Sequence, residues 1–182
     1  GSEGTDMAGD DVVLGLDVGT QSLRAAVYDA NGACLGFGAE PITTTHPYPA
    51  WAEQDVQSWW TAARQAVAKA LAKANSKPQS IAGIGLDATA CTVVACTMDA
   101  TPLRPALLWM DQRSFREAEE ISATNDPILR YVSGTVSPEW MLPKALGLAR
   151  NEPEIFQRAD RIVECTDWMM HRLTGRWTLS RN

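Results

Sequence analysis

Apolar residues along this chain change their spacing several times, and each change marks an element. Val12-Val13-Leu14-Gly15-Leu16-Asp17 is a short, mostly apolar run closed by an acid, the pattern of a buried strand. A small-residue turn from Val18 to Ser22 leads to a second run, Leu23 to Tyr28. Asp29-Ala30-Asn31-Gly32 then offers an Asn-Gly pair suited to a tight hairpin turn, and Cys34 to Ala39 reads as a third strand. Strands joined by turns this brief pair antiparallel. After a Pro- and Thr-rich loop from Pro41 to Asp55, the period switches to helical. Val56, Trp59, Trp60, Ala63, Val67, Ala70, Leu71 and Ala74 fall on one face, with Asp55 as N-cap and Asn75-Ser76-Lys77-Pro78 as the stop. At that spacing the Trp pair reads as core.

The second half alternates less regularly. Ile81 to Leu86 and Thr92 to Met98 read as strands, with Asp99 to Pro102 turning the chain. Ser114 to Ala123 and Pro143 to Arg150 read as helices, Arg161 to Cys165 as a last strand, and Asp167 to Leu173 as a last helix. Strands first, then helix alternating with strand, predict an α/β domain with a central mixed sheet flanked by helices.

Composition narrows the class. A chain of 182 residues that is 45% apolar suits one domain with a substantial core. Gly1 to Asp6 is small, polar and acidic and precedes Met7, so residues 1–10 are set aside as an expression remnant and disordered tail, leaving 11–182 as the domain. The net charge of −6 disfavours a nucleic-acid partner. No apolar run approaches the ~18 residues of a membrane span. Cys34, Cys91, Cys96 and Cys165 show no C-x-x-C spacing and lie in apolar company, which favours buried thiols and a reducing, cytoplasmic setting. With only His46 and His171 available, scattered cysteines do not make a zinc centre.

The chemistry concentrates at the first turn. Asp17 ends a buried strand, Gly19 allows close backbone approach, and Thr20 and Ser22 add hydroxyls. Such a turn can offer N–H groups to phosphate oxygens while Asp17 holds Mg²⁺ directly or through water. The Walker spacing and its lysine are absent, as is the dinucleotide glycine fingerprint. On these residues alone, a plain hairpin with a capping Asp stays open.

The order of further segments decides between the two. The Gly15-x-Asp17-x-Gly19-Thr20 opening resembles the first phosphate motif of the actin, hexokinase and heat-shock chaperone superfamily. Trp51-Ala52-Glu53-Gln54-Asp55 with Trp59-Trp60 resembles a segment of the FGGY carbohydrate kinases. Ile84 to Thr89, Leu108 to Arg113, Pro143-Lys144 with Asn151 to Phe156, and Asp167-Trp168 with Leu173-Thr174-Gly175 are similar to later blocks of the same family. The likeness runs from about Val12 to Asn182.

The resemblance implies a ribonuclease H-like fold and ATP- and Mg²⁺-dependent phosphorylation of a sugar or polyol. It also implies a second, C-terminal domain and a general-base aspartate, both downstream of Asn182, so that this chain alone lacks activity. Asp17, Gly19, Thr20 and Ser22 carry over to the nucleotide side, with Asp17 the metal residue. Asp87, Thr89, Ala90, Cys91, Trp109 and Glu139 carry over to the substrate side, Trp109 as an apolar wall. Asp111 is a tempting base, but just before Arg113 its plainer reading is a helix-start acid. Glycerol kinases place Arg-Glu where this chain has Ala90-Cys91, and xylulokinases place Met-His. The small pair is closer to ribulokinases, so ribulose leads the expected substrates. Xylulose or another FGGY substrate, and an actin-fold nucleotide-binding module without sugar kinase activity, remain the alternatives. A homodimer stays open.

Overall fold

The computed structural model describes residues 10–179, so all but the last residue of the expected tail lies outside the described residues. The chain divides into two compact units. One holds the residues up to Ile42 together with Ser58–Ala88, and the other holds Thr43–Gln57 together with the chain from Thr89 onward.

The first unit is built on a four-stranded mixed sheet. β1 (Val12–Val18), β2 (Ser22–Tyr28) and β3 (Cys34–Pro41) form the expected antiparallel meander, and β6 (Ile81–Ala88) adds parallel to β1. The order is β3-β2-β1-β6. Strict alternation buries Val12, Leu14, Leu16 and Val18 on one face of β1, beside Leu23, Ala25 and Val27 of β2. The parallel β1–β6 pair needs a crossover, and the helix α1 (Val56–Ala74) lies within it. Trp59 of α1 is fully buried, as expected of a core residue. At the far end Asn75 takes a left-handed φ of 50° and Ser76 N–H donates to Leu71 O, a helix stop of the Schellman type.

Glycine matters most where α1 meets β3. A Cβ at Gly36 would stand 2.2 Å from Ala70 O, and one at Gly38 would stand 2.2 Å from Ala66 O. Two bare backbone positions thus let helix and strand approach closer than any side chain permits. In the β2–β3 turn only Gly32, with φ 83°, uses the left-handed region, and Asn31 does not.

The second unit holds a second sheet, of which two strands fall in runs already read as strands. Its five strands run β4 (Thr44–Thr45), β5 (Glu53–Gln54), β8 (Ala106–Leu107), β7 (Val93–Cys96) and β9 (Arg161–Glu164), all antiparallel. Helices α2 (Phe115–Ala123), α3 (Met141–Asn151), α4 (Pro153–Arg158) and α5 (Cys165–Thr174) belong to this unit. Every residue of β7 is buried, so no alternation marks it. Val93, Ala95, Leu107 and Leu148 form a core cluster, with Met141, Ile155 and Ile162 packed against it. Trp168 is fully buried and its indole N–H donates to Ala100 O at 2.9 Å. All four cysteines are free thiols, but only Cys96 and Cys165 are buried; Cys34 is exposed on β3, contrary to the expectation for it. Among the described residues no helix is long and apolar enough to cross a membrane.

Candidate functional site

The residues assigned to the nucleotide side all lie in the first unit. Asp17 sits near the end of β1, with Arg24 as its antiparallel partner on β2 and Asp87 as its parallel partner on β6. Two carboxylates therefore stand at neighbouring strand ends of one sheet. Arg24 Nη2 lies 2.6 Å from Asp17 Oδ2, and both side chains are about half exposed. The sequence reading missed Arg24, although the hairpin register places it opposite Asp17. The turn itself is closed internally, because Gly19 N–H donates to Ser22 O at 3.0 Å. That amide is already spent, so the phosphate-cradle expectation loses one of its donors. Gly19 is needed there for room, not for a left-handed φ: a Cβ would lie 3.1 Å from both Ser22 O and Arg24 Nη2.

Among the described residues no group of three or more His, Cys, Asp or Glu side chains forms a metal cage. Mg²⁺ does not require one, since it keeps several waters and takes one or two carboxylates alongside substrate phosphates. The hard oxygen donors of Asp17 and Asp87 fit that pattern.

Apart from Asp87, the substrate-side residues lie in the second unit. Thr89 is half-buried, Ala90 is exposed, and Cys91 follows with a left-handed φ of 62°. That conformation is uncommon for a residue with a Cβ. Both backbone polar groups of Cys91 are held by charged side chains. Its N–H donates to Glu164 Oε2 at 3.3 Å, and its carbonyl accepts from Lys144 Nζ at 2.8 Å. Lys144 is fully buried and also donates to Leu108 O at 2.7 Å, immediately before Trp109. Burial pulls Lys144 down to about 8, against the opposing pull of Asp111, Cys91, Glu139 and Glu164. Trp109 is 37% exposed, so it is not a core residue. Glu139 accepts from Gln112 Nε2 at 3.3 Å and interacts electrostatically with both Cys91 and Lys144. The structure thus brings Cys91, Trp109 and Glu139 to one neighbourhood around a lysine that sequence reasoning left without a role. The available signal was a charge inside the apolar run Leu142 to Leu146.

Asp111 belongs to another construction. It is fully buried; Oδ2 accepts the Ala52 N–H at 2.7 Å and Oδ1 the Arg113 N–H at 3.0 Å. Arg113 grips the same carboxylate through Nε at 2.9 Å and Nη2 at 2.7 Å. The Arg113 guanidinium also reaches Glu53 Oε1 at 2.8 Å and lies 3.7 Å from the Trp51 ring centroid. Glu53 in turn pairs with Arg104, which pairs with Glu152. A carboxylate so fully engaged has no lone pair left for a substrate proton; nor is it a helix-start acid, because α2 begins only at Phe115 with Ser114 as N-cap. The Trp51–Asp55 and Trp109–Arg113 segments thus meet in one ion network through Ala52 and Glu53 on one side and Asp111 and Arg113 on the other.

Residues 12–180 match the model of the FGGY family of carbohydrate kinases, N-terminal domain. The chain belongs to this family. It is 31% identical to the xylulose kinase of Escherichia coli over 163 residues, covering 89% of this chain and 33% of that protein. It is 35% identical to the ribulokinase of Mycolicibacterium smegmatis over 193 residues, covering 91% and 34% respectively. The crystal structure of xylulose kinase from Rhodospirillum rubrum superposes with a TM-score of 0.86 at 27% identity, covering 94% of this chain and 36% of that one. The α/β, actin- and hexokinase-like fold expected of an FGGY chain is therefore present. This FGGY chain spans about a third of the length of the relatives it matches.

Proposed function

We propose that this chain is the sugar-binding part of an ATP-dependent carbohydrate kinase acting on a hydroxyl of a five-carbon ketose, ribulose first. The observation that carries the reading is the turn at Ala90 and Cys91. It presents a small exposed side chain and a fixed backbone, in the same neighbourhood as the exposed indole of Trp109. Small side chains leave volume for a longer polyol, and an aromatic wall favours the C–H face of a sugar over water. Glycerol, with three hydroxyls and little surface, needs charged groups that this turn does not offer. Thr89 and Glu139 supply polar groups of the kind that bond hydroxyls.

On the nucleotide side, Asp17 and Asp87 would hold a hydrated Mg²⁺, and Thr20 and Ser22 would add hydroxyls. Bound Mg·ATP supplies the phosphoryl group and neutralises charge on its oxygens during transfer. The role left to Arg24 is to hold the Asp17 carboxylate in place. A general base must take the proton of the acceptor hydroxyl. With Asp111 engaged, that base is assigned to a second domain beyond residues 12–180, and this chain alone is expected to be inactive.

The test is a panel of ribulose, xylulose, ribitol and glycerol compared by kcat/KM with the complete enzyme, following ADP release. Ribulose should lead. Xylulose in first place would change only the sugar. Glycerol in first place would refute the reading of Ala90 and Cys91. ATP binding without any sugar-dependent ADP release would leave a nucleotide-binding module and end the kinase reading.

A further inference from the structure

Cys91 occupies a left-handed conformation, and such a residue persists only where its surroundings over-determine it. Here the determinants are two opposite charges from different elements, Glu164 at the end of β9 and Lys144 on α3. Glu164 is itself fixed, because its carboxylate caps α5 in a capping box with Asp167. Lys144 has lost all solvent, and burying an ammonium is costly unless fixed acceptors replace the water. Two of its N–H groups donate to carbonyls from separate loops, that of Cys91 and that of Leu108. An apolar side chain would fill the same volume without that cost, so core packing alone does not account for a lysine here.

We propose that Lys144 is a positioning residue, a buried cationic clamp that joins the Ala90–Cys91 turn to the segment carrying Trp109 and so sets the geometry of the sugar-binding surface. The inference rests on the kinase reading for its substrate role, and on the two hydrogen bonds for the clamp. Burial also brings loss of the ammonium down to about pH 8. The groups that face it are Asp111, Glu139 and Glu164, which favour its charge, and the Cys91 thiol, whose own ionisation burial opposes. Above about pH 8 the amine keeps only neutral, weaker donors for the two carbonyls.

Two measurements test this. In the 182-residue chain, the carbonyl ¹³C shifts of Cys91 and Leu108 should titrate together with a midpoint near pH 8. Independent or flat shifts overturn the clamp. In the complete enzyme, Lys144→Met should raise the KM for the sugar about tenfold or more, with the KM for ATP little changed. Lys144→Gln, which keeps a donor without the charge, should recover part of the loss. Wild-type sugar KM should climb above pH 8 while the KM for ATP stays level. A folded Lys144→Met with an unchanged sugar KM would refute the positioning role. Should that variant fail to fold, a wild-type sugar KM that stays level to pH 9.5 would refute it instead. A wild-type enzyme that phosphorylates no sugar in the panel would end the substrate role along with the kinase reading, while the carbonyl titration would still report on the clamp.

Discussion

At the scale of single residues, burial acts differently on Asp111, on Lys144 and on the cysteines. Asp111 is saturated by hydrogen bonds from Ala52 and Arg113, so its removal should cost stability and not chemistry. Breaking a buried ion pair costs about 3–5 kcal/mol. Asp111→Ala in the complete enzyme should therefore lower the unfolding midpoint strongly while kcat, assayed well below that midpoint, stays within a few-fold of wild type; a loss of kcat by orders of magnitude in a folded variant would restore Asp111 as a base. Lys144 and the cysteines act on stability through pH with opposite signs. Folded Lys144 titrates near 8 against an ordinary 10.5, so between these values the unfolded chain binds more protons and stability rises with pH. Burial pushes Cys96 up to about 11 from an ordinary 9.0 and Cys165 higher still, so above pH 9 the folded chain keeps protons that the unfolded chain releases, and their contribution falls. Melting temperature should accordingly hold or rise from pH 8 to 9 and decline beyond. Lys144→Met should remove the rise and keep the decline, and a wild-type midpoint that drops steadily from pH 7.5 would contradict the assignment.

At the scale of elements, the long periodic pieces were legible and the short ones were not. β1 and β2 bury every second residue, and α1 repeats over nineteen residues, so hydrophobic spacing marks them directly. β4, β5 and β8 are two residues long, too short to show any period, and two of them lie in a loop rich in Pro and Thr. α4 and the 3₁₀ turn at Pro127–Val132, six residues each, are also too short to show a helical period. The site divides along the same line. Asp17 stands near the end of a strand that pattern and resemblance both mark, and Trp109 is marked by resemblance alone. Lys144 and Glu164 act through backbone carbonyls and amides distant in sequence, and no spacing records such partners. The β3–α1 junction supplies a prediction of its own. Gly36→Ala or Gly38→Ala must push α1 off the strand, because the new methyl would meet helix backbone and not a movable side chain. A destabilisation of about 1–3 kcal/mol or more by urea unfolding is expected. Gly32→Ala should cost less through packing, since nothing lies within 4 Å, and its cost comes from the left-handed φ alone. Equal midpoints for Gly38→Ala and wild type would show that helix and strand are not in register as described.

At the scale of the whole molecule, neither unit is a continuous stretch of chain. The second unit takes β4 and β5 from a segment that precedes the last strand of the first unit, and it takes Glu53 with them. Residues 89–182 alone would keep Arg104 and Arg113 but lose the carboxylate that both grip. That piece should give dispersed but weak secondary structure and no cooperative melt, and a peptide spanning residues 43–57 should restore the transition. Cooperative unfolding of 89–182 without the peptide would show the early strands to be dispensable. The same discontinuity bears on synthesis at the ribosome. By the time Ala88 has emerged the first sheet is complete, yet β5, with β4 paired to it, must wait for its partner β8. At about 5–20 residues per second the delay is roughly 3–10 seconds, long enough for an exposed apolar strand to stick to its neighbours. The waiting strands are Thr-Thr and Glu-Gln, hydrophilic and carrying a charge, so the idle interval of these early strands falls on residues poorly suited to sticking.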